Sequence, residues 1–220
     1  NQTVRLLRGN LQKLYFWPLT GKIGVLGYGD ASYNNNQDDS SQRGMVVFLA
    51  QNRGTTHNGS SRGSLVDYES TKIKRTTLST TVAELYAIMK TFGTCQMIKG
   101  LWMDLSGEDA PIHIRTDAYN LFTTSKSTHL PDQKETIHMI QMLRKEAMSG
   151  SIQDFAHVTT DVCLVGCLTK ITASADALVK AVTTGVLPKV DCCPPVRSSV
   201  SHKAYWANAK WRDFWETDGH

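Results

Sequence analysis

The sequence has no long apolar run, no internal repeat and no low-complexity tract. A membrane-spanning helix needs an apolar stretch of ~20 residues, so we predict neither a membrane span nor a membrane partner. No secretory signal peptide is visible, and the chain does not begin with Met. We therefore expect a fragment cut from a longer product, in which missing targeting signals carry little information.

Cysteine is scarce, with five in 220 residues. An odd number without a regular framework argues against a secreted disulfide scaffold. Cys163 and Cys167 lie close in sequence, but no His or Cys pair at zinc-finger spacing accompanies them. Reduced, partly buried thiols are therefore favoured over a zinc site. We also expect an intracellular protein, in the cytoplasm or the nucleus.

The composition is that of a folded protein, with 40% hydrophobic and 20% charged residues. The chain is long enough for one core with an extension. Its net charge of +4 permits a polyanionic partner without requiring one.

Hydrophobic periodicity predicts strands alternating with helices. Strands are expected at 24–30, 44–50, 64–68, 112–116 and 152–158, and helices at 4–14, 80–105, 118–125, 131–149, 161–170 and 174–184. The helix beginning near residue 80 carries a predicted buried stripe of Leu78, Val82, Leu85, Met89 and Phe92. This order of elements favours an α/β fold with a mixed sheet.

Three acidic residues lie at the junctions of these elements. Asp30 and Asp117 each follow an apolar strand, and Glu84 lies in the first turns of the helix. Thr80 or Thr81 is expected to cap that helix, with Glu84 at the capping-box distance from Thr81. A turn role or a cap role explains each acid taken alone. Together, three carboxylates on strand, helix and strand are what a Mg²⁺ site requires.

The chain contains in order LGYGDASYNNNQDDSSQRGMVVFLA, VDYESTKIKRTTLSTTVAELYAI, IHIRTDAYNLF and CLTK. In order and spacing these segments resemble the ribonuclease H domain of Ty1/copia-type retrotransposon polyproteins. The resemblance extends roughly from Val4 to Pro188. It implies an α/β, ribonuclease H-like fold with a mixed five-stranded sheet and helices on both faces. It also implies a two-metal endonuclease that cuts the RNA strand of RNA–DNA hybrids.

Under this resemblance Asp30, Glu84 and Asp117 match the family's first three catalytic carboxylates and would be the metal ligands. Asp30 would bridge two Mg²⁺ ions, for which Mn²⁺ could substitute, and the other two acids would each complete one ion's shell. The family's fourth aspartate is not matched, because VGCLTK places Gly166 at that position. Asp161 is then an alternative outer ligand. Gly166 also favours a second interpretation, a catalytically weak or inactive scaffold that binds nucleic acid or a protein partner.

A basic cluster precedes the predicted helix. Lys72, Lys74 and Arg75 could contact a phosphate backbone, although such clusters are commonly only solvated surface. Ser79 and Thr81 could donate to a phosphate or to a ribose 2′-OH, and helix capping explains them equally well.

Three regions are predicted: a tether or helix at 1–21, a ribonuclease H-like domain at 22–188, and an aromatic-rich extension at 189–220. The extension is rich in large aromatic side chains: Tyr205, Trp206, Trp211, Phe214 and Trp215. Because such side chains are costly to leave in water, we expect them to pack on the domain or on a partner, with base stacking as the alternative. A reverse transcriptase domain of the same polyprotein is one candidate partner.

Overall fold

Five strands form the centre of the computed structural model, which describes residues 14–36, 38–51, 61–127 and 134–188. The strands are β1 (Ile23–Ser32), β2 (Gln42–Gln51), β3 (Gly63–Lys72), β4 (Ile112–Thr116) and β5 (Ile152–His157). The helices within these ranges are α1 (Thr80–Ser106), α2 (Tyr119–Lys126), α3 (Lys134–Met148), α4 (Gly166–Thr169) and α5 (Asp176–Thr184).

The strands form one mixed sheet in the order β3-β2-β1-β4-β5. β1, β2 and β3 pair antiparallel, because each follows the last through a short or looped connection. β4 pairs parallel with β1, and β5 parallel with β4. The parallel pairings require crossovers, which α1 supplies between β3 and β4, and α2 and α3 between β4 and β5.

Side chains of the strands alternate between two hydrophobic cores, one on each face of the sheet. Val25 and Val47 belong to the core shared with α1, α2 and α3. Tyr28 and Phe48 belong to the opposite core, which α5 and the segment before α4 cover. The predicted fold class, α/β with a mixed five-stranded sheet and helices on both faces, is confirmed.

Two glycines of β1 let α1 approach the sheet closely. A Cβ atom on Gly27 would lie 2.6 Å from the Cys95 Sγ and 2.6 Å from the Thr91 Cγ2. On Gly29 it would lie 2.7 Å from the Thr91 Oγ1. These distances are shorter than carbon contacts allow, so larger residues would push the helix away. The glycines thereby bring α1 against the strand that carries Asp30.

Three strands are longer than predicted, and one of them, β2, runs from Gln42 to Gln51 instead of 44–50. β1 continues beyond Asp30, because its antiparallel pairing with β2 extends to Ser32 opposite Gln42. Asp30 therefore lies inside the strand and not at its end. β3 continues from Tyr68 to Lys72, which also pairs with Gln42. These strand ends were not predicted because their residues are polar and lack a hydrophobic pattern.

The predicted cap of α1 is wrong. Ser79 is the N-cap, with extended backbone angles of φ −159° and ψ 164°, and its Oγ accepts a hydrogen bond from the Val82 N–H. Thr80 and Thr81 lie within the helix. Leu78, predicted to begin the buried stripe, precedes the helix and is 68% exposed. The cap lies one residue before Thr80 and two before Thr81, because the backbone of Ser79 is extended and the helical conformation begins at Thr80.

The predicted helix at 161–170 is reduced to the single turn of α4. Residues before it form turns that insert Leu164 and Val165 into the core. The other helix and strand ends differ from prediction by only a few residues.

Most of the predicted helix at 4–14 and the whole extension at 189–220 lie outside the described residues. In the part of the chain that the structure describes, no helix combines the length and apolar character needed to cross a membrane.

Candidate active site

Three carboxylates meet at one edge of the sheet. Asp30 of β1, Glu84 of α1 and Asp117 after β4 each offer an oxygen atom, and these atoms all lie within 4.8 Å of one another. The Asp30 side chain is completely buried, whereas the other two are partly exposed. The three acids singled out from the sequence therefore converge, open to solvent on one side.

The strand register explains why the two aspartates are neighbours. β1 and β4 run parallel with Tyr28 opposite Arg115. Asp30 and Asp117 each follow two residues later, so parallel pairing carries them to the same edge. Alternation along a strand points residues separated by two to the same face.

Glu84 reaches this edge from the helix. Its Oε2 accepts a hydrogen bond of 3.1 Å from the Ala31 N–H of β1. The carboxylate thus contacts the strand beside Asp30 and does not close a capping box with Thr81. The close approach of α1 at Gly27 and Gly29 permits this contact.

A fourth segment supports Asp30 from the opposite face. The Thr169 hydroxyl donates a hydrogen bond to the Asp30 Oδ2. The Lys170 Nζ lies 3.4 Å from the same oxygen and 3.5 Å from the Oδ1. Reasoning from the sequence gave these two residues no role, although both belong to the CLTK segment that carries the family resemblance.

The electrostatics of the site disfavour full ionisation. Burial raises the pKa of Asp30, and the Asp117 charge adds to the shift, while Thr169 and Lys170 oppose it. Burial, followed by the charges of Asp30 and Asp117, raises the pKa of Glu84 to about 9. At neutral pH Glu84 therefore holds a proton, unless a bound cation replaces it.

The donor set fits a hard divalent cation. Mg²⁺ prefers oxygen ligands and uses one or a few carboxylates together with water and substrate phosphate. Oxygens supplied by three separate elements within 4.8 Å of one another can share such an ion. A bound cation would also remove the cost of crowding these charges, so the raised pKa values of Asp30 and Glu84 are consistent with this use.

Gly166 occupies the first position of α4 and is buried. It lies three residues before Thr169, so the two positions share a face of the helical turn. A Cβ atom built on Gly166 meets no other atom within 4 Å. The fold therefore has room for a side chain where the sequence lacks a fourth carboxylate.

Asp161, considered as an outer ligand, is exposed in the turn before α4. Among the described residues, the group of acids able to share an ion comprises Asp30, Glu84 and Asp117 without Asp161.

The predicted nucleic-acid-binding residues lie at the end of β3 and the start of α1. Lys72 ends β3 and forms a surface ion pair with Asp38. Lys74 and Arg75 are exposed in the connection to α1. The Ser79 hydroxyl accepts the Val82 N–H as the helix cap, and Thr81, in the first turn of the helix, is partly exposed. Capping thus accounts for Ser79.

His157 contacts the backbone of one of the three acids. Its Nε2 is 3.2 Å from the carbonyl oxygen of Asp117, and its ring packs edge-on against Tyr119 at a centroid distance of 5.4 Å. This contact supports the backbone of Asp117, which is a structural role. Its position at the last residue of β5, beside β4, was the available signal.

No protein-family model matches the sequence, and no curated protein matches it. Solved structures similar to this chain include LC11-RNase H1, isolated from compost by a metagenomic approach, at 16% identity and a TM-score of 0.46 over 69% of this chain and 99% of that one. LC11-RNase H1 has also been solved in complex with an RNA/DNA hybrid.

Two further similar structures are ribonuclease H domains. The PFV RNase H domain is 18% identical with a TM-score of 0.43, over 75% of this chain and 95% of that one. The N-terminal RNase H domain of rv2228c from Mycobacterium tuberculosis is 12% identical with a TM-score of 0.46, over 73% of this chain and 99% of that one.

Proposed function

We propose that this chain is a metal-dependent endonuclease that hydrolyses the RNA strand of RNA–DNA hybrids, and that it belongs to a Ty1/copia-type retrotransposon polyprotein. The observation that carries the proposal is the convergence of the Asp30, Glu84 and Asp117 carboxylates within 4.8 Å. These acids lie in the sequence segments that resemble the ribonuclease H domain of that family.

The chain's own residues hold the reacting groups in place. Asp30 is held by the Thr169 hydroxyl and by Lys170, which together fix the orientation of its carboxylate. Glu84 is oriented by the Ala31 N–H. Asp117 is held through its backbone, which contacts His157. Such fixed geometry is worth more in a partly buried site than the same groups would be in water.

Asp30, Glu84 and Asp117 would hold Mg²⁺, or Mn²⁺ in its place. When bound, such cations lower the pKa of an attacking water and stabilise the leaving 3′-oxygen of a phosphodiester. The exposed Lys74 and Arg75, together with Lys72, would contact hybrid phosphates, which position a strand without reading its sequence. Thr81, near Glu84 on α1, would reach a ribose 2′-OH, the group that distinguishes RNA.

Cleavage of a hybrid labelled on its RNA strand tests the proposal. The full chain should produce RNA fragments with Mg²⁺ or Mn²⁺, leave the DNA strand intact, and cut nothing in EDTA. Cleavage of single-stranded DNA alone, or cleavage unaffected by EDTA, would contradict this substrate and this chemistry.

Gly166 favours a second candidate, a scaffold of the same fold that binds a hybrid or a protein but cuts poorly. Tight hybrid binding without cleavage by either metal ion would support it. One preparation decides between the two candidates, because hybrid cleavage and hybrid binding can both be measured on it.

The domain limits of 22–188, with a tether at 1–21 and an extension at 189–220, belong to the same proposal. A reverse transcriptase domain, or another protein that binds the aromatic extension, would be the macromolecular partner. Deleting residues 191–220 tests the extension: unchanged solubility and oligomeric state would exclude it as an interface.

A further inference from the structure

Lys170 lies beside Asp30, the completely buried acid of the proposed metal site. Its Nζ is 3.4 Å from the Asp30 Oδ2 and 3.5 Å from the Oδ1. The Lys170 side chain is 36% exposed, whereas that of Asp30 has no exposed surface. The ammonium group therefore faces both oxygens of Asp30 at the border between the core and the open site.

The backbone at the end of α4 also places Lys170 close to Asp30. Its backbone N–H donates a hydrogen bond of 3.0 Å to the Gly166 carbonyl, which closes the turn of α4. The preceding residue, Thr169, donates its hydroxyl to Asp30. Two consecutive residues thus contact the same carboxylate, and the turn of α4 places the Lys170 side chain next to Asp30.

These contacts limit what Asp30 can still accept. A carboxylate offers about four acceptor positions in all. Thr169 uses one on Oδ2, and Lys170 approaches both oxygens. These contacts occupy up to three of the four positions. A residue that bridges two metal ions needs two free positions, whereas a ligand to one ion needs only one.

The formal charge of the site also favours a single metal ion. Asp30, Glu84, Asp117 and Lys170 together carry a formal charge of −2 when all are ionised, which matches one divalent cation. A second divalent cation would leave excess positive charge in a partly buried site, where like charges repel more strongly than in water. The sequence also lacks the fourth carboxylate that could offset it, since Gly166 stands at that position.

We propose that Lys170 is a built-in cation that takes the electrostatic place of a second metal ion, so that the site binds one divalent cation tightly. This inference rests on the proposed function, since it concerns the same three carboxylates. It replaces the two-ion arrangement that the family resemblance implies with one metal ion and one ammonium group.

Counting bound Mn²⁺ by electron paramagnetic resonance tests the inference without measuring cleavage. The full chain should bind one tight Mn²⁺ with no spin-coupled pair. Lys170→Met should bind two, and its first Mn²⁺ should bind about tenfold more tightly or better, because a nearby positive charge is lost. Lys170→Arg keeps the charge and should still bind one.

Lys180→Met is the matched control, because it removes a lysine that is exposed on α5, and it should bind one Mn²⁺. Lys170→Gln serves if the Met variant does not fold. Two tight, coupled Mn²⁺ ions in the unmodified chain would overturn the inference, as would a single ion in every Lys170 variant that folds. If metal-dependent hybrid cleavage is present in that same preparation, the proposed function stands. Absence of any tight Mn²⁺ binding would overturn both.

Discussion

Thr169 donates a hydrogen bond to Asp30 across 139 residues of sequence. The contact joins the short helix α4 to the central strand β1 and fixes the carboxylate that lies deepest in the site. Together with the Ala31 N–H on Glu84, it shows that the site is held by contacts between elements and not by the acids alone.

Asp30→Asn should reduce hybrid cleavage by at least about 100-fold, since loss of a ligand should exceed the 10–100-fold effect of outer-shell partners. Stability of the metal-free protein should change by no more than about 1 kcal/mol, because the amide keeps an acceptor for Thr169 and removes a buried charge. Cleavage rates and thermal unfolding in EDTA measure the two effects.

Asp104→Asn, exposed on α1 far from the site, is the control and should cleave normally. Retained cleavage in Asp30→Asn would remove the proposed mechanism.

The metal-free protein should lose stability as the pH rises. The pKa of Glu84 is raised from 4.5 to about 9 in the folded chain, by burial and then by the neighbouring acids. Between these values the folded chain binds a proton that the unfolded chain has released. The stabilising contribution is therefore complete below the unfolded value and is lost as the pH rises through the folded one. One such group changes the free energy of unfolding by at most about 1.4 kcal/mol per pH unit.

Urea unfolding in EDTA across this pH range measures the slope. Glu84→Gln should flatten it, and the slope that remains should come from Asp30, whose pKa is also raised. Glu108→Gln, at an exposed acid after α1, should keep the full slope. An unchanged slope in Glu84→Gln would mean that Glu84 is ionised in the folded state.

Gly166→Asp should strengthen metal binding and raise Mg²⁺-dependent cleavage by about tenfold or more, by supplying the carboxylate that the sequence lacks. The substitution should fold normally, because a Cβ at this position meets no atom within 4 Å. Gly166→Ala tests the side-chain volume alone and should leave cleavage unchanged. Equal activity of both variants and the unmodified chain would exclude position 166 from the site.

Gly29→Ala should destabilise the protein by about 1–3 kcal/mol, the usual cost of overpacking. Its Cβ would lie 2.7 Å from the Thr91 Oγ1 and 2.9 Å from the Ile88 Cδ1, so α1 must move away from β1. Metal affinity should fall as well, since that movement separates Glu84 from Asp30. Chemical denaturation and Mn²⁺ titration measure these effects.

Gly100→Ala provides the contrast. This glycine lies within α1, with nothing within 4 Å of a Cβ, so alanine should stabilise the helix by up to about 1 kcal/mol. Destabilisation of both variants to the same degree would show that close packing at Gly29 is not the cause.

Replacing Lys74 and Arg75 together by Gln should weaken hybrid binding and reduce the slope of log affinity against log salt by about 1–2, close to 0.9 per lost phosphate contact. Lys180→Gln, on α5, should leave both quantities unchanged. The same salt slope in the double variant would place the hybrid elsewhere on the surface.

Much of the fold was predictable because its signals are local. Hydrophobic periodicity located β4 at its observed limits and the long helix α1 within a residue or two. Strand ends were predicted less well: the polar ends of β1 and β3 are strands because they pair with β2, and pairing is not a local property. The cap at Ser79 was missed because three consecutive hydroxyl residues could each have served.

The sequence by itself determined which acids were candidates, since Asp30, Glu84 and Asp117 lie beside apolar elements of the right kind. Only the tertiary structure decided that they meet, through the parallel register of β1 with β4 and the close packing of α1 on glycine. It also added Thr169 and Lys170, which no local pattern connects with Asp30. The physical reason is that charge and hydrogen bonding depend on distance in space, whereas sequence patterns report only distance along the chain.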